Sequence, residues 1–341
     1  MRLGVDLGGT KTEIIALDDS GQELLRRRVA TARSYEGTLA VIRELVTGAE
    51  SELGAKGSVG LAIPGTISRL TGLAKNANST WLNGKPFARD LEARLERPIR
   101  FANDANCFAL SEATDGAGQG AHVVFGVILG TGIGGGVVVG GQVLEGAHGI
   151  AGEWGHNPLP GMTREEWEEA GPCYCGGSGC IEQWLSGPGL AAEFKRHLRY
   201  PLRPPLAPPA QGGEERFAHT GKQNGPADHF ERRTPRAEAS GRKADRAWTA
   251  QEIATSDEFE ARAAMGRWME RMGRALASVM NILDPDVVVL GGGLSNIEAL
   301  TRDLPAMVER HGFCPETPPR IVRNVHGDSS GVRGAAWLWP L

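Results

Sequence analysis

A strand, a glycine-rich turn and a second strand occur twice in this chain, and this repeat constrains the fold more than any other sequence feature. Residues 3–17 and residues 123–139 each contain two short apolar runs joined by glycines. Further strand-like runs at 58–63 and 287–290 alternate with helical patterns such as 38–53, and this alternation is typical of α/β proteins. The sequence therefore predicts two α/β halves with a ligand cleft between them.

The length and charge of the chain limit its domain number and its partners. Its 341 residues fit two domains, because most domains contain about 100–200 residues. A formal net charge of −4 gives no electrostatic reason to expect nucleic acid or an anionic membrane as a partner. Asp6 comes too early for the apolar segment of a targeting signal, and glycines divide the uncharged residues 121–141 into short runs. We therefore expect a cytoplasmic protein with no membrane partner.

The first glycine turn has the residues of a phosphate-binding site. Gly8 and Gly9 let backbone N–H groups approach an anion without an intervening Cβ atom, Asp6 can hold Mg²⁺, and Thr10 and Lys11 can reach phosphate oxygens. The alternative is a plain tight turn, for which two glycines are enough. A second turn repeats the pattern and favours phosphate binding; its residues are Gly130, Thr131, Gly132, Gly134, Gly135 and Gly136.

Two further segments lie where strands are expected to end. Gly292 and Gly293 follow the strand at 287–290, and glycines at the carboxyl end of such a strand leave room for a flat base, although this turn is common by itself. Asp104 lies between a short strand and a helix. It can be a plain N-cap, worth about 1 kcal/mol. If it faces a nucleotide cleft, it can instead accept the proton of an attacking hydroxyl as a general base.

The cysteines predict a metal site rather than a set of disulfides. The chain has five, an odd number, and Cys173, Cys175 and Cys180 lie close together in a glycine-rich segment. With His156 they supply one imidazole and three thiolates, a donor set that binds Zn²⁺ tetrahedrally at about 2.3 Å per sulfur. Four protein ligands close the site, so the zinc would be structural. The alternative is three free thiols, while Cys107 and Cys314 are expected to be ordinary residues.

Two carboxylates flank this cluster. Glu153 and Glu182 are candidates for hydrogen bonds to a polyol, although solvated carboxylates are the default for any glutamate. Farther along, residues 207–251 contain no Ile, Leu, Val or Met. So few apolar side chains cannot offset the entropy of ordering, and we expect a disordered insertion over residues 201–256.

Several motifs in fixed order resemble those of the ROK family of sugar kinases. The matching segments are residues 6–11, 103–106, 130–136, 152–156 (GEWGH), 173–182 (CYCGGSGCIE) and 291–295. Within that family, residues 75–87 (KNANSTWLNGKPF) and 326–340 (HGDSSGVRGAAWLWP) resemble the bacterial fructokinases and manno(fructo)kinases. The resemblance covers about residues 1–200 and 257–341, and the segment between them departs from the family pattern.

The resemblance implies an actin-like ATPase fold of the ribonuclease H-like class, with two α/β domains around a nucleotide and sugar cleft. The first domain would comprise residues 1–115, completed by about 326–341. The second would comprise residues 116–325 and carry a zinc loop at 156–180. We also expect a homodimer.

The resemblance further implies that the chain uses ATP with Mg²⁺ to phosphorylate a free hexose at its 6-hydroxyl, with Asp104 as the catalytic base. The implied sugar contacts are Gly65, Asn78, Asn103, Asp104, Glu153, His156 and Glu182. The implied nucleotide contacts are Gly4, Asp6, Gly8, Gly9, Thr10, Lys11, Gly130, Thr131, Gly132, Gly134, Gly135, Gly136, Gly292 and Gly293. The implied zinc ligands are His156, Cys173, Cys175 and Cys180.

The preferred hexose is the least determined feature. The motifs favour D-fructose, with D-mannose as a second substrate, and the alternative is an N-acetylglucosamine or glucose kinase, because a few hydrogen bonds worth about 1–3 kcal/mol each separate these sugars. Sugar-responsive repressors of the same family carry an N-terminal helix-turn-helix domain, for which a hairpin beginning at residue 4 leaves no room. A non-catalytic actin-like ATPase would need neither a zinc loop nor sugar-binding carboxylates.

Overall fold

Each glycine-tipped hairpin of the sequence lies within a five-stranded sheet. The computed structural model describes residues 1–199, 246–313 and 317–339. In the first sheet the strand order is β3-β2-β1-β4-β7, where β1 to β3 are antiparallel and β4 and β7 continue in parallel from β1. The bounds of its strands are Arg2–Leu7 (β1), Lys11–Leu17 (β2), Glu23–Ala30 (β3), Ser58–Ile63 (β4) and Ile99–Asn103 (β7).

The second sheet repeats this topology. Its strand order is β10-β9-β8-β11-β12, again with three antiparallel strands followed by two parallel ones. The bounds are Val123–Leu129 (β8), Ile133–Val139 (β9), Gln142–Val143 (β10), Val287–Gly291 (β11) and Ile321–Arg323 (β12). A short ladder of Thr66–Ile67 (β5) and Ala74–Lys75 (β6) lies outside both sheets. The prediction of an α/β chain with two similar halves is confirmed.

Helices cover the first sheet on both faces. Successive residues of a strand face opposite sides, so Ile14 packs with helix α1 (Tyr35–Leu53) while Ile15 packs with the last helix, α10 (Ser330–Trp337). Helix α2 (Phe87–Leu95) lies on the same side as α1. Ser34 begins α1 by accepting a hydrogen bond from the backbone N–H of Gly37.

Two helices form the layer between the sheets. Helix α3 (Asp104–Asp115) packs against β8 and β9 of the second sheet, and α10 packs between α3 and β1 and β4 of the first sheet. These contacts are made at backbone distance: a Cβ atom added at Gly334 would lie 1.7 Å from the carbonyl oxygen of Cys107, and one at Gly60 would lie 1.9 Å from that of Ala335. The segment near the end of the chain thus packs against the first sheet, while the predicted domain boundary at residue 115 stays a prediction.

A second core lies on the far side of the second sheet. Trp268 is fully buried at its centre and donates a hydrogen bond from Nε1 to the carbonyl oxygen of Leu185 (3.1 Å). The helices around it are Arg164–Glu169 (α4), Ile181–Leu185 (α5), Gly187–Arg199 (α6), Ala250–Ala254 (α7), Phe259–Leu283 (α8) and Glu298–His311 (α9). Across the described residues, no helix combines the length and the apolar character that crossing a membrane requires.

The predicted disordered insertion is wrong over its last part. Residues 201–245, like Cys314, lie outside the described residues, whereas residues 246–256 are described and form a packed segment with a short helix. Trp248 packs edge-on against Phe194 with ring centroids 5.0 Å apart, and Thr249 caps α7 in a reciprocal arrangement with Glu252. The interpretation relied on the scarcity of aliphatic residues, whereas here an aromatic ring, a helix cap and the buried Ile253 provide the order.

Candidate active site

Asp104 lies at the junction between a strand and a helix, with no loop between them. Strand β7 ends at Asn103, whose side-chain oxygen accepts a hydrogen bond from the backbone N–H of Ala105 (2.9 Å), and α3 begins at Asp104. The Asp104 side chain is exposed, and desolvation by the neighbouring protein raises the pKa of its carboxyl group. It is therefore an accessible carboxylate with an increased affinity for a proton.

A second carboxylate lies near Asp104. Asp6 is in the last part of β1, and its pKa is raised to about 7, first by burial and then by the negative charges of Asp104 and Glu13, which Arg28 opposes in part. Two carboxylates that repel each other in a cleft favour a cation between them or beside them. This geometry fits the predicted role of Asp6 toward Mg²⁺.

The titration of Asp6 gives a testable pH dependence of stability. The folded state holds its proton up to pH of about 7, whereas the unfolded chain releases it near 3.8. Without Mg²⁺, the free energy of unfolding should therefore fall as the pH rises from about 4 to 7, by at most about 1.4 kcal/mol per unit for this group. Urea unfolding at pH 4.5 and 7.5 measures this effect. The free energy of unfolding of Asp6→Asn, relative to that of wild type, should be higher at pH 7.5 than at pH 4.5. Parallel pH dependence of the two proteins would contradict the assignment.

The two hairpin tips leave space at their glycines. A backbone hydrogen bond from Gly8 to Lys11 (3.0 Å) closes the first tip, and one from Gly130 to Gly132 (3.0 Å) closes the second. Within the described part of the chain, no atom lies within 4 Å of a Cβ atom built at Gly9 or at Gly130. Thr10, Lys11 and Thr131 are exposed. The backbone of both tips is thus accessible to an anion, and the N–H groups of Gly8 and Gly130 are the ones already used to close the tips.

Other predicted nucleotide residues are not brought to these tips. Gly4 is buried in the middle of β1, where an added Cβ would lie 2.1 Å from the carbonyl oxygen of Val332. In β9, an added Cβ at Gly135 would lie 2.6 Å from the Gly152 carbonyl oxygen, while Gly134 and Gly136 face Ala105 of α3. At these positions glycine permits close packing between segments, and this packing is sufficient to explain why the residue is glycine.

The third glycine turn follows β11 as predicted. Gly292 has φ of +79°. An added Cβ would lie 2.4 Å from the carbonyl oxygen of Leu129, so this position excludes any side chain. Gly293 is open, with no atom of the described chain within 4 Å of an added Cβ. The pair thus lies beside the β8–β9 hairpin, at the carboxyl edge of the second sheet.

The predicted sugar-binding carboxylates lie in one cluster with His156. The pKa of Glu153 is raised by burial, lowered by His156, and raised by Asp104 and Glu182, so these charges are close enough to interact. Glu182 also accepts a hydrogen bond from the backbone N–H of Ile133 (2.9 Å), which joins the cluster to the second hairpin tip. The structure therefore brings these predicted residues together.

Two predicted sugar contacts lie on the β5–β6 side. Gly65 has φ of +77°, and its carbonyl oxygen is 3.4 Å from Nδ2 of Asn103. Asn78 is exposed on the loop after β6. This loop is fixed by Asn83, which the sequence interpretation missed: its side chain exchanges two hydrogen bonds of 2.9 Å with the backbone of Ala77.

The four predicted metal ligands converge. One donor atom from each of His156, Cys173, Cys175 and Cys180 lies within 4.8 Å of the others. The Cys175 and Cys180 sulfurs are 3.6 Å apart, and Cys173 Sγ is 3.7 Å from His156 Nδ1. Two sulfurs bound tetrahedrally to Zn²⁺ at about 2.3 Å are separated by about 3.8 Å. The donor set and its spacing therefore fit a zinc ion. Burial and, after it, the neighbouring thiols raise the pKa of Cys180.

Tyr174 is a site residue to which the sequence interpretation gave no role. It lies between two of the cysteines, and its hydroxyl is 3.0 Å from Nε2 of His156. The signal that could have identified it was its position inside the CYC segment, where a large side chain necessarily lies close to the ligands.

Comparisons with known proteins agree on one family. The family model described as "ROK family" matches residues 2–341. An N-acetyl-D-glucosamine kinase of Escherichia coli is 37% identical over 344 residues, covering 99% of this chain and 99% of that protein. A ROK hexokinase structure from Thermus thermophilus has a TM-score of 0.74 and 27% identity, covering 99% of this chain and 97% of the other.

A further solved structure holds ligands. A ROK family glucokinase from Streptomyces griseus, in complex with glucose and AMPPNP, has a TM-score of 0.68 and 25% identity, covering 98% of this chain and 97% of that one. These neighbours confirm the predicted actin-like ATPase fold.

Proposed function

Because the chain belongs to the ROK family, we propose that it transfers the terminal phosphoryl group of ATP to the 6-hydroxyl of a hexose, with N-acetyl-D-glucosamine as the preferred substrate. The observation that supports the reaction type is the proximity of Asp104 both to Asp6, which precedes the first glycine tip, and to Glu153 of the cluster that Glu182 joins to the second tip. The extent of the likeness to the E. coli kinase supports N-acetyl-D-glucosamine. The glucokinase that holds glucose with an ATP analogue supports a hexose and ATP as the ligands.

D-fructose, the substrate that the sequence motifs favour, has less support than N-acetyl-D-glucosamine. Part of the likeness that favoured it lies in residues 326–340. Of these, residues 330–337 form α10, which packs against β1, β4 and α3, so their sequence reflects the packing of the fold. Residues that pack a core do not choose between hexoses, and fructose and mannose therefore remain comparison substrates. The expected homodimer stays a prediction.

Asp104 would act as the general base. Its carboxyl group is open to the cleft, and the desolvation that raises its pKa makes it a better proton acceptor than an ordinary aspartate. It would take the proton of the 6-hydroxyl as that oxygen attacks the terminal phosphorus. The Asn103 side chain, fixed by its hydrogen bond to Ala105, keeps the start of α3 in place.

The nucleotide would lie against the two hairpin tips. Mg²⁺–ATP supplies the phosphoryl group and a cation that offsets its charge. On the protein, the backbone N–H groups of Gly9 and Thr131, at the two exposed tips, would donate to phosphate oxygens, and Lys11 would add a positive charge. Asp6 is the carboxylate that would hold the metal ion, because its repulsion with Asp104 is relieved there.

A coupled assay of ADP release over four hexoses tests the substrate assignment. We expect the highest kcat/KM with N-acetyl-D-glucosamine and lower values with D-glucose, D-mannose and D-fructose. A buried polar site that holds an acetamido group is left with unpaired partners when the group is missing, which can cost far more than the loss of a methylene group. A kcat/KM for fructose above that for N-acetyl-D-glucosamine would restore the original expectation. Absence of ADP release with all four would contradict the kinase assignment.

Removal of one thiolate tests the zinc site. Cys175→Ser should reduce bound zinc from about one ion per chain to near zero, because a three-ligand remnant holds the metal poorly. It should also weaken hexose binding, because the loop that ends at Glu182 is fixed by the same cluster. Elemental analysis and calorimetric titration with N-acetyl-D-glucosamine measure the two effects. Cys107→Ala, outside the cluster, serves as the control, and unchanged hexose affinity in metal-free protein would contradict the coupling.

A further inference from the structure

The imidazole of His156 lies between the metal ligands and a phenol. Its Nδ1 faces Cys173 Sγ at 3.7 Å, whereas its Nε2 faces the hydroxyl of Tyr174 at 3.0 Å. The two rings meet edge to face with centroids 5.1 Å apart. Tyr174 remains 83% exposed, so burial in a core does not explain its position.

The proton positions follow from this arrangement. A histidine that binds a metal through Nδ1 carries its proton on Nε2, and here the acceptor for that proton is the oxygen of Tyr174. The phenolic proton is then left free to be donated elsewhere. A phenol ordinarily loses its proton only at a pH of about 10, so the hydroxyl is a donor at neutral pH.

Tyr174 also lies at a defined end of the carboxylate cluster. The backbone N–H of His156 donates a hydrogen bond to the carbonyl oxygen of Glu153 (3.2 Å), and the turn before Glu153 packs against β9, whose glycines face the start of α3. The cluster therefore leads from the start of α3, where Asp104 lies, through Glu153 to His156. In the pyranose ring of a hexose whose 6-hydroxyl is at Asp104, C2 lies directly across the ring from C5, which carries C6, and C1 is bonded to C2. Those carbons are where N-acetyl-D-glucosamine, glucose and fructose differ.

We propose that Tyr174 is a specificity-determining residue, whose hydroxyl receives a hydrogen bond from His156 and donates one to an oxygen on C1 or on the C2 substituent of the hexose. This inference rests on the proposed hexose kinase function. The alternative is that Tyr174 only orients His156. In that case removal of the hydroxyl would weaken binding of every sugar by the same factor, whatever its substituents.

Removal of a hydroxyl from the protein and of an oxygen from the sugar separates these alternatives. Wild type and Tyr174→Phe are titrated calorimetrically, without ATP, with N-acetyl-D-glucosamine, with its analogue lacking the 1-hydroxyl, and with 2-deoxy-D-glucose, which lacks the C2 substituent. We expect Tyr174→Phe to weaken binding of N-acetyl-D-glucosamine about three- to tenfold, as for loss of one hydrogen bond. For at least one analogue the effect should shrink to less than about twofold, because the partner atom is already missing.

Controls identify which conclusion fails. Tyr35→Phe removes the same atom from a tyrosine that bonds Asp90 at the start of α2, and it should leave hexose affinity unchanged. Zinc content should be equal in wild type and Tyr174→Phe, because the phenol is not a ligand. A Tyr174→Phe effect of equal size with all three sugars, or no effect with any, would overturn the inference alone. Failure of wild type to bind any hexose would overturn the proposed function as well.

Discussion

Replacement of Asp104 by asparagine is expected to lower kcat by about 10²–10⁴-fold, the range that general-base catalysis contributes. The amide has the size of the carboxyl group but cannot take the proton of the 6-hydroxyl. The start of α3 should be preserved, because Asn103 provides the N-cap. Steady-state kinetics with ATP and N-acetyl-D-glucosamine measure the loss, and ATP affinity should change little because the variant leaves both hairpin tips intact.

The control for this variant is Asp303→Asn, which makes the same chemical change on a partly exposed residue of α9 that pairs with Arg302. It should keep wild-type turnover. If Asp104→Asn retained more than about a tenth of wild-type kcat, with the chemical step limiting, Asp104 would not be the base. In wild type, kcat/KM should fall as the pH drops through a value above the ordinary 3.8, since burial raises the pKa of this group.

Gly334→Ala is expected to destabilise the protein by about 3 kcal/mol or more, at the upper end of what overpacking costs. The added methyl group would lie 1.7 Å from the carbonyl oxygen of Cys107, and backbone atoms cannot move aside as the end of a flexible side chain can. Helices α10 and α3 would have to separate, which disturbs the layer between the two sheets. Equilibrium unfolding in urea measures the change.

The same substitution at another helical glycine is expected to increase the stability of the protein. Gly266 is an exposed residue inside α8, and among the described residues no atom lies within 4 Å of its added Cβ. Gly266→Ala should therefore stabilise the protein by about 0.5–1 kcal/mol through helix propensity. Equal effects of the two substitutions would show that the close approach at Gly334 is not what determines stability there.

The periodic and local features of the fold could be predicted from the sequence. The strand-like runs at residues 58–63 and 287–290 are β4 (Ser58–Ile63) and β11 (Val287–Gly291), because continuous apolar runs between turn residues determine buried strands locally. The convergence of His156 with three cysteines also follows from spacing, since a few residues between ligands leave little freedom. The strands and the arrangement of the three cysteines are determined by residues that lie close together in the sequence.

Contacts between distant segments could not be predicted in the same way. Gly4 and Gly136 were interpreted as phosphate contacts, but they make room for α10 and α3, which lie far from them in the chain. A sequence does not distinguish a glycine that admits a ligand from one that admits a neighbouring backbone. Tyr174 was missed for a related reason: its relation to His156 depends on how the loop folds back.

The position of α10 also bears on how the chain folds while it is being synthesised. Strands β1 and β2 are made before α10, which covers one of their faces at Gly4 of β1 and Ile15 of β2 and is made more than 300 residues later. At about 5–20 residues per second, the ribosome needs roughly 16–65 s to add that stretch. During this interval the first sheet has an uncovered apolar face, a surface that other nascent chains and chaperones can bind. The packing of the first sheet can therefore be completed only after α10 has been synthesised.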